Sequence, residues 1–137
     1  MSAFVLDCSV AMAWCFEDEA DRYADAVLDR LVEESALVPP LWPLEIANVL
    51  IVAERRRRLR KSDSARFLEL VGALPIAVDS ATPDPSHLLA VAREHRLSAY
   101  DAAYLALAMR EGIPLATRDR ALGKAARRCG VSLVAAV

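Results

Sequence analysis

Four carboxylates in this chain sit where an apolar run ends or a helix-forming run begins. They are Asp7 in VLDCS, Glu45 in PLEIANVL, Asp101 in SAYDAAY and Asp119 in ATRDRAL. In an open α/β sheet, strand ends and helix starts converge on one edge, and ligands bind there. Like charges gathered at one edge repel each other unless a divalent cation holds them together. A hard cation among oxygen donors suggests hydrolysis of a phosphate ester.

Each acid alone also has an ordinary explanation. Asp101 follows Ser98 by three residues, which is a capping box with Asp in place of the usual Glu. Glu45 falls in a first helical turn behind Pro43, where a negative charge suits the helix dipole. Asp119 and Asp7 are each placed to cap a following helix. The combination carries more than its members, because parallel strands joined by helical crossovers end on the same side. Ser9 lies two residues after Asp7, and Thr117 lies two before Asp119. Their hydroxyls are placed to orient carboxylates or metal-bound water.

The elements that must position these acids alternate along the chain. Residues 3–7 (AFVLD) form a short apolar strand candidate ending at an acid. SVAMAWCF reads as a short helix, and residues 20–34 as a second, with Ala24, Val27, Leu28, Leu31 and Val32 at helical spacing. ALVPP is a strand stopped by Pro39 and Pro40. Pro43 opens a helix that runs into the arginines near Arg57. Ser62 or Asp63 caps another, and PIAVD (75–79) is a third strand. Pro83 or Pro85 opens a helix through His95. Ser98 caps the next, which Gly112 closes. IPLAT (113–117) is a strand, RALGKAARRCG a helix, and VSLVAAV a final strand. The alternation predicts a parallel sheet covered by helices.

The 137 residues fit one domain spanning 1–137. A 55% hydrophobic and 26% charged composition is globular rather than disordered. Net charge is −2, yet RRRRLRK (55–61) is strongly basic, and a polyanion would lie against such a patch. Cys8, Cys15 and Cys129 are odd in number and lack a CxxC pair, which argues against a disulfide framework or a cysteine zinc site. No secretory signal and no membrane-length apolar run is visible. The expectation is a soluble protein of a reducing cytoplasm, with no membrane partner. HExxH and GxSxG are absent, and the four glycines form no phosphate-cradling loop.

The chain resembles the PIN-domain nucleases, and within them the VapC-type toxins of type II toxin–antitoxin pairs. The matching segments are VLDCSVAMAW, PPLWPLEIANVL, LSAYDAAYLALA and IPLATRDRAL, in the family's order and across nearly the whole chain. The resemblance implies a three-layer α/β/α fold with a mostly parallel sheet of four or five strands. It implies that Asp7, Glu45, Asp101 and Asp119 bind Mg²⁺ or Mn²⁺. Ser9 and Thr117 match accessory hydroxyl positions, and Asn48, one turn after Glu45, matches a position of helix-side support. It further implies an endoribonuclease leaving 3′-hydroxyl and 5′-phosphate ends, a homodimer, and a cognate VapB-type antitoxin. One departure is RRRR at 55–58, where such proteins often have a glycine turn after two arginines.

Arg57 and Arg58 in the basic run, and Arg118 and Arg120 flanking Asp119, are candidates for contact with RNA phosphates. As an alternative they are solvated surface cations. Trp14, Phe16, Trp42, Tyr100 and Tyr104 are able to stack on bases, although core packing is the commoner use. Two other classes stay open. One is a non-catalytic RNA- or partner-binding module whose acids are helix caps. The other is an aspartyl phosphoacceptor using Asp7.

Overall fold

The computed structural model describes residues 2–19 and 21–135. Four strands, β1 (Ala3–Leu6), β2 (Ser35–Val38), β3 (Ile76–Val78) and β4 (Leu115–Ala116), form one sheet in the order β3-β2-β1-β4. Every pairing is parallel. Strand β1 is central and its Phe4, Val5 and Leu6 are fully buried, so it reads as a continuous apolar run. The chain builds outward from β1 through β2 to β3, then returns to place β4 on the other flank of β1. The reversal puts a switch point between the carboxyl ends of β1 and β4, where an open sheet offers its binding crevice.

Among the described residues, seven α-helices surround the sheet. They are α1 (Cys8–Cys15), α2 (Arg22–Arg30), α3 (Trp42–Arg55), α4 (Lys61–Gly72), α5 (Pro85–His95), α6 (Ala99–Glu111) and α7 (Arg120–Arg128). Helix α1 packs against α2 and α3, while α6 packs against β1, β4, α5 and α7. Together with the sheet they make a three-layer α/β/α arrangement. Tyr104, Leu105, Leu107 and Ala108 of α6 are buried in the core. No helix among the described residues is long and apolar enough to cross a membrane.

Several boundaries differ from the sequence expectation. The acidic helix expected over 20–34 is shorter, and a separate 3₁₀ turn at Glu17–Glu19 precedes it. Asp21 caps α2 by accepting from the Ala24 N–H at 2.6 Å. Helix α4 starts at Lys61, so neither Ser62 nor Asp63 is its cap. Asp63 instead accepts from the Arg60 N–H at 2.9 Å. Of the two prolines, Pro85 opens α5, behind an Asp84 cap. The final strand reduces to one parallel bridge between Leu133 and Leu115, and residues 136–137 of that segment lie outside the described residues.

The arginine run ends α3 in an unusual way. Arg57 has φ 60°, in the left-handed region that favours glycine. The missing glycine is therefore a backbone position that Arg57 fills under strain. Arg57→Gly is expected to raise unfolding free energy by about 0.5 kcal/mol, and Arg57→Val to lower it by about 1 kcal/mol. Urea denaturation of the two variants checks this.

Candidate active site

Asp7 leaves the end of β1, and its N–H donates to the Ala116 carbonyl of β4 at 3.0 Å. The side chain is only 5% exposed. It occupies the cap position of α1 but makes no capping bond. Its Oδ2 instead accepts from the Ser9 and Thr117 hydroxyls, each at 2.7 Å. A carboxylate spent on two hydroxyls rather than on a helix end is not explained by capping. The Ser9 Oγ also accepts from the Arg118 N–H at 3.0 Å, and the Thr117 Oγ1 from the Asp119 N–H at 3.0 Å. The hydroxyls thus tie the loop after β1 to the loop after β4.

The other three acids come from helix starts. Glu45 sits in the first turn of α3, behind Pro43, and its Oε1 accepts from the Tyr104 hydroxyl of α6. Asp101 lies in the first turn of α6, whose cap Ser98 accepts from the Asp101 N–H at 3.1 Å. Asp119 caps α7, its Oδ1 accepting from the Leu122 N–H at 2.9 Å. Glu45 and Asp119 are each anchored through one oxygen, and their second oxygens have no side-chain or backbone donor among the described residues.

All four acids line one cleft of about 330 Å³, with Ser9, Arg58 and Arg118 also on its walls. Burial raises the Asp7 carboxyl above its ordinary range, opposed by its two hydroxyl donors and reinforced by Asp119. Burial also raises Glu45, with Asp7 and Asp101 adding repulsion. Asp101 is pushed up to about 6 by burial and then by Asp7 and Asp119. Asp7 is the common member of these repulsions. Beside it, burial and the acids push the Cys8 thiol up to about 12, which leaves it unreactive.

An all-oxygen set of mutually repelling, half-anchored carboxylates is the donor chemistry that Mg²⁺ and Mn²⁺ accept. No three His, Cys, Asp or Glu side chains among the described residues stand close enough to form a closed cage. A closed cage is not required, since an octahedral Mg²⁺ keeps several of its waters and takes only one or two carboxylates directly. The residues therefore fit a hydrated divalent ion rather than a tightly chelated one.

The remaining sequence candidates divide. Arg118 and Arg58 reach the cleft wall. Arg57 and Arg120 are exposed and do not line it. Asn48 is exposed on α3 and makes no bond to a carboxylate among the described residues, so Tyr104 takes the supporting role expected of it. In the sequence Tyr104 stands out only as an aromatic. The usable signal is its spacing of three from Asp101, which puts both on one face of α6. Among the other aromatics, Phe16 and Trp42 are buried, and the Trp14 Nε1 donates to the Ala24 carbonyl at 2.8 Å.

Residues 4–128 match the model of the PIN domain family. Over 122 residues the chain is 31% identical to the protein named Ribonuclease VapC3 of Pyrobaculum aerophilum, a match covering 88% of this chain and 92% of that one. The crystal structure of PAE2754 from Pyrobaculum aerophilum is similar with a TM-score of 0.69 and 26% identity, over 90% of this chain and 86% of that one.

Proposed function

The chain belongs to the PIN-domain family, and from that premise we propose that it is a metal-dependent endoribonuclease, the toxin of a type II toxin–antitoxin pair. The observation that carries the proposal is the convergence of Asp7, Glu45, Asp101 and Asp119 on one cleft at the β1/β4 switch point. A relative bearing the name ribonuclease over nearly the full length supports it.

On this reading the four acids hold Mg²⁺ or Mn²⁺, directly or through water. When bound, the ion supplies positive charge for the phosphate oxygens and lowers the pKa of water. Ionised carboxylates only accept hydrogen bonds, so they hold the attacking water by its protons and aim its lone pair at phosphorus. Ser9 and Thr117 fix the rotamer of Asp7, and Tyr104 fixes that of Glu45. Arg118 and Arg58 face the phosphodiester from the cleft wall.

The proposal extends to partners. Leu44 and Ile51 leave an apolar stripe exposed on α3, which suits a second copy of the chain. A groove of about 800 Å³ adjoins the cleft and is lined by Trp14, Phe16, Leu59, Phe67 and Leu70, with Arg58 between the two. Its apolar floor suits an amphipathic segment of a VapB-type antitoxin. The site of action is then the cytoplasm.

A mixed cellular RNA pool tests the reading. The purified chain, freed of antitoxin, is expected to cut RNA with Mg²⁺ or Mn²⁺, to leave ligatable 5′-phosphates, and to stop in EDTA. Cleavage undiminished by EDTA contradicts the proposal. Tyr104→Phe removes the anchor of Glu45 but keeps the ring in the core. It is expected to lower kcat about tenfold and to cost about 1 kcal/mol of stability. Single-turnover kinetics and thermal unfolding measure the two effects.

One observation favours a second reading, a non-catalytic binding module. Asp119 caps α7, its Oδ1 accepting from the Leu122 N–H, so one of the four acids has a structural role of its own. This reading predicts RNA binding without metal-dependent turnover.

A further inference from the structure

Two arginines far apart in sequence share one carboxylate at the mouth of the cleft. The Glu19 Oε2 lies 3.2 Å from the Arg58 Nη2, and the Glu19 Oε1 lies 3.8 Å from the Arg118 Nη1. All three residues line the cleft that holds the four acids. Both guanidinium groups are set from behind. Arg58 lies over the Phe16 ring at 4.2 Å and contacts Asp18 at 3.2 Å. The Arg118 Nε donates to Asp21 at 2.6 Å, and its Nη1 donates to the Ser9 carbonyl at 3.4 Å. Glu19 itself is held by neither burial nor a further hydrogen bond among the described residues, its side chain being 37% exposed.

We propose that Arg58 and Arg118 form a single subsite for a backbone phosphate of RNA, and that Glu19 occupies this subsite as a resident anion in the free protein. A carboxylate with one oxygen toward each guanidinium presents its charge as the two free oxygens of a phosphodiester do. Carboxylate–arginine pairs open to water are weak enough for an incoming phosphate to displace Glu19, but both contacts must be broken first, and that cost is subtracted from the affinity for RNA. Glu19 therefore sets how tightly RNA binds without touching the reacting phosphate. The inference rests on the nuclease reading above and names a subsite of that same cleft.

Glu19→Gln separates this arrangement from general acidity. Fluorescence anisotropy with a short, unstructured, labelled RNA in EDTA reads binding without cleavage. Relative to wild type, E19Q is expected to bind about five- to tenfold more tightly at low salt. Its log–log salt slope is expected to steepen, because salt anions now occupy the vacated guanidinium groups and are released when RNA binds. With metal, KM falls in proportion and kcat stays within about twofold. Glu17→Gln changes net charge equally, but Glu17 is exposed and touches neither arginine, so it is expected to give little gain. The gain of E19Q is expected to shrink in the Arg58→Gln background, where only Arg118 remains to be released, and to vanish when Arg58 and Arg118 are both replaced by Gln. Equal binding by wild type and E19Q overturns the subsite while leaving the nuclease reading standing. An equal gain in E17Q, or a gain that survives loss of both arginines, overturns it as well. No RNA binding by any form overturns both.

Discussion

Asp7→Asn is expected to abolish cleavage while making the metal-free protein more stable. The carboxamide oxygen of the variant is able to accept from Ser9 and Thr117 as the Asp7 Oδ2 does now. The loop after β1 thus keeps its ties to β4. What disappears is a buried anion that repels Asp119, Glu45 and Asp101. Relieving a buried, unneutralised charge is expected to raise unfolding free energy by about 1–2 kcal/mol at about pH 7.5 in EDTA. The same charge is needed to attract the cation, so cleavage is expected to fall about a thousandfold or more. Opposite signs for stability and activity mark a site built for function rather than for folding. Chemical denaturation in EDTA and single-turnover cleavage with Mn²⁺ read the two signs. A destabilised Asp7→Asn variant cutting RNA within about tenfold of wild type would sink this account of Asp7.

The second large effect is a reversal of pH dependence by metal. Asp101 has its carboxyl raised from 3.8 to about 6, and Asp7 and Glu45 shift in the same direction. An acid raised on folding contributes stability that is fully present below its unfolded value and lost as pH rises through its folded value. The metal-free protein is therefore expected to be less stable at about pH 7.5 than at about pH 5. Asp101 alone contributes about 1 kcal/mol after allowance for solvent screening at its half-buried position. Asp79 works oppositely, since Arg110 lowers its carboxyl. Its contribution is lost only as pH falls below the ordinary Asp value of 3.8, outside that window. On the proposed reading a divalent ion would bind the ionised forms, so it is expected to stabilise most at high pH and to release protons as it binds near about pH 6. At a hundredfold excess over its dissociation constant it adds about 2.7 kcal/mol. Thermal melts at the two pH values, with EDTA and with Mn²⁺, are expected to show the two pH trends crossing. Melts that keep the same order with and without metal would remove the carboxylates' role in binding it.

Much of this was legible in the sequence because it depended on local chemistry and on one topological rule. VLD and LAT are short apolar strands, and parallel neighbours end on the same side, so Asp7 and Thr117 had to meet. Ser98 capping α6 set Asp101 at the same edge. The hydroxyls of Ser9 and Thr117 were found from nearness in sequence alone. Partnerships made only by tertiary packing were not legible. Nothing local pairs Tyr104 with Glu45 across α6 and α3, or Glu19 with Arg58 and Arg118. Asn48 sits one turn from Glu45, but the helix turns it to solvent. The left-handed Arg57 was signalled only by the glycine turn that the family often has near 55–58, because its own residue type contradicts its backbone.

The central claim is that the carboxylates at the β1/β4 edge, through a divalent ion, cut RNA. The most direct test is single-turnover cleavage of a mixed RNA pool by wild type and Asp101→Asn, side by side at saturating Mn²⁺ and in EDTA. Asp101 is half-buried in a helix whose cap is held by Ser98, so the substitution leaves the fold intact. The account predicts cleavage by wild type with Mn²⁺ alone, and none by Asp101→Asn under either condition. Equal cleavage by both proteins would contradict it, as would RNA binding by a folded wild type that never cuts.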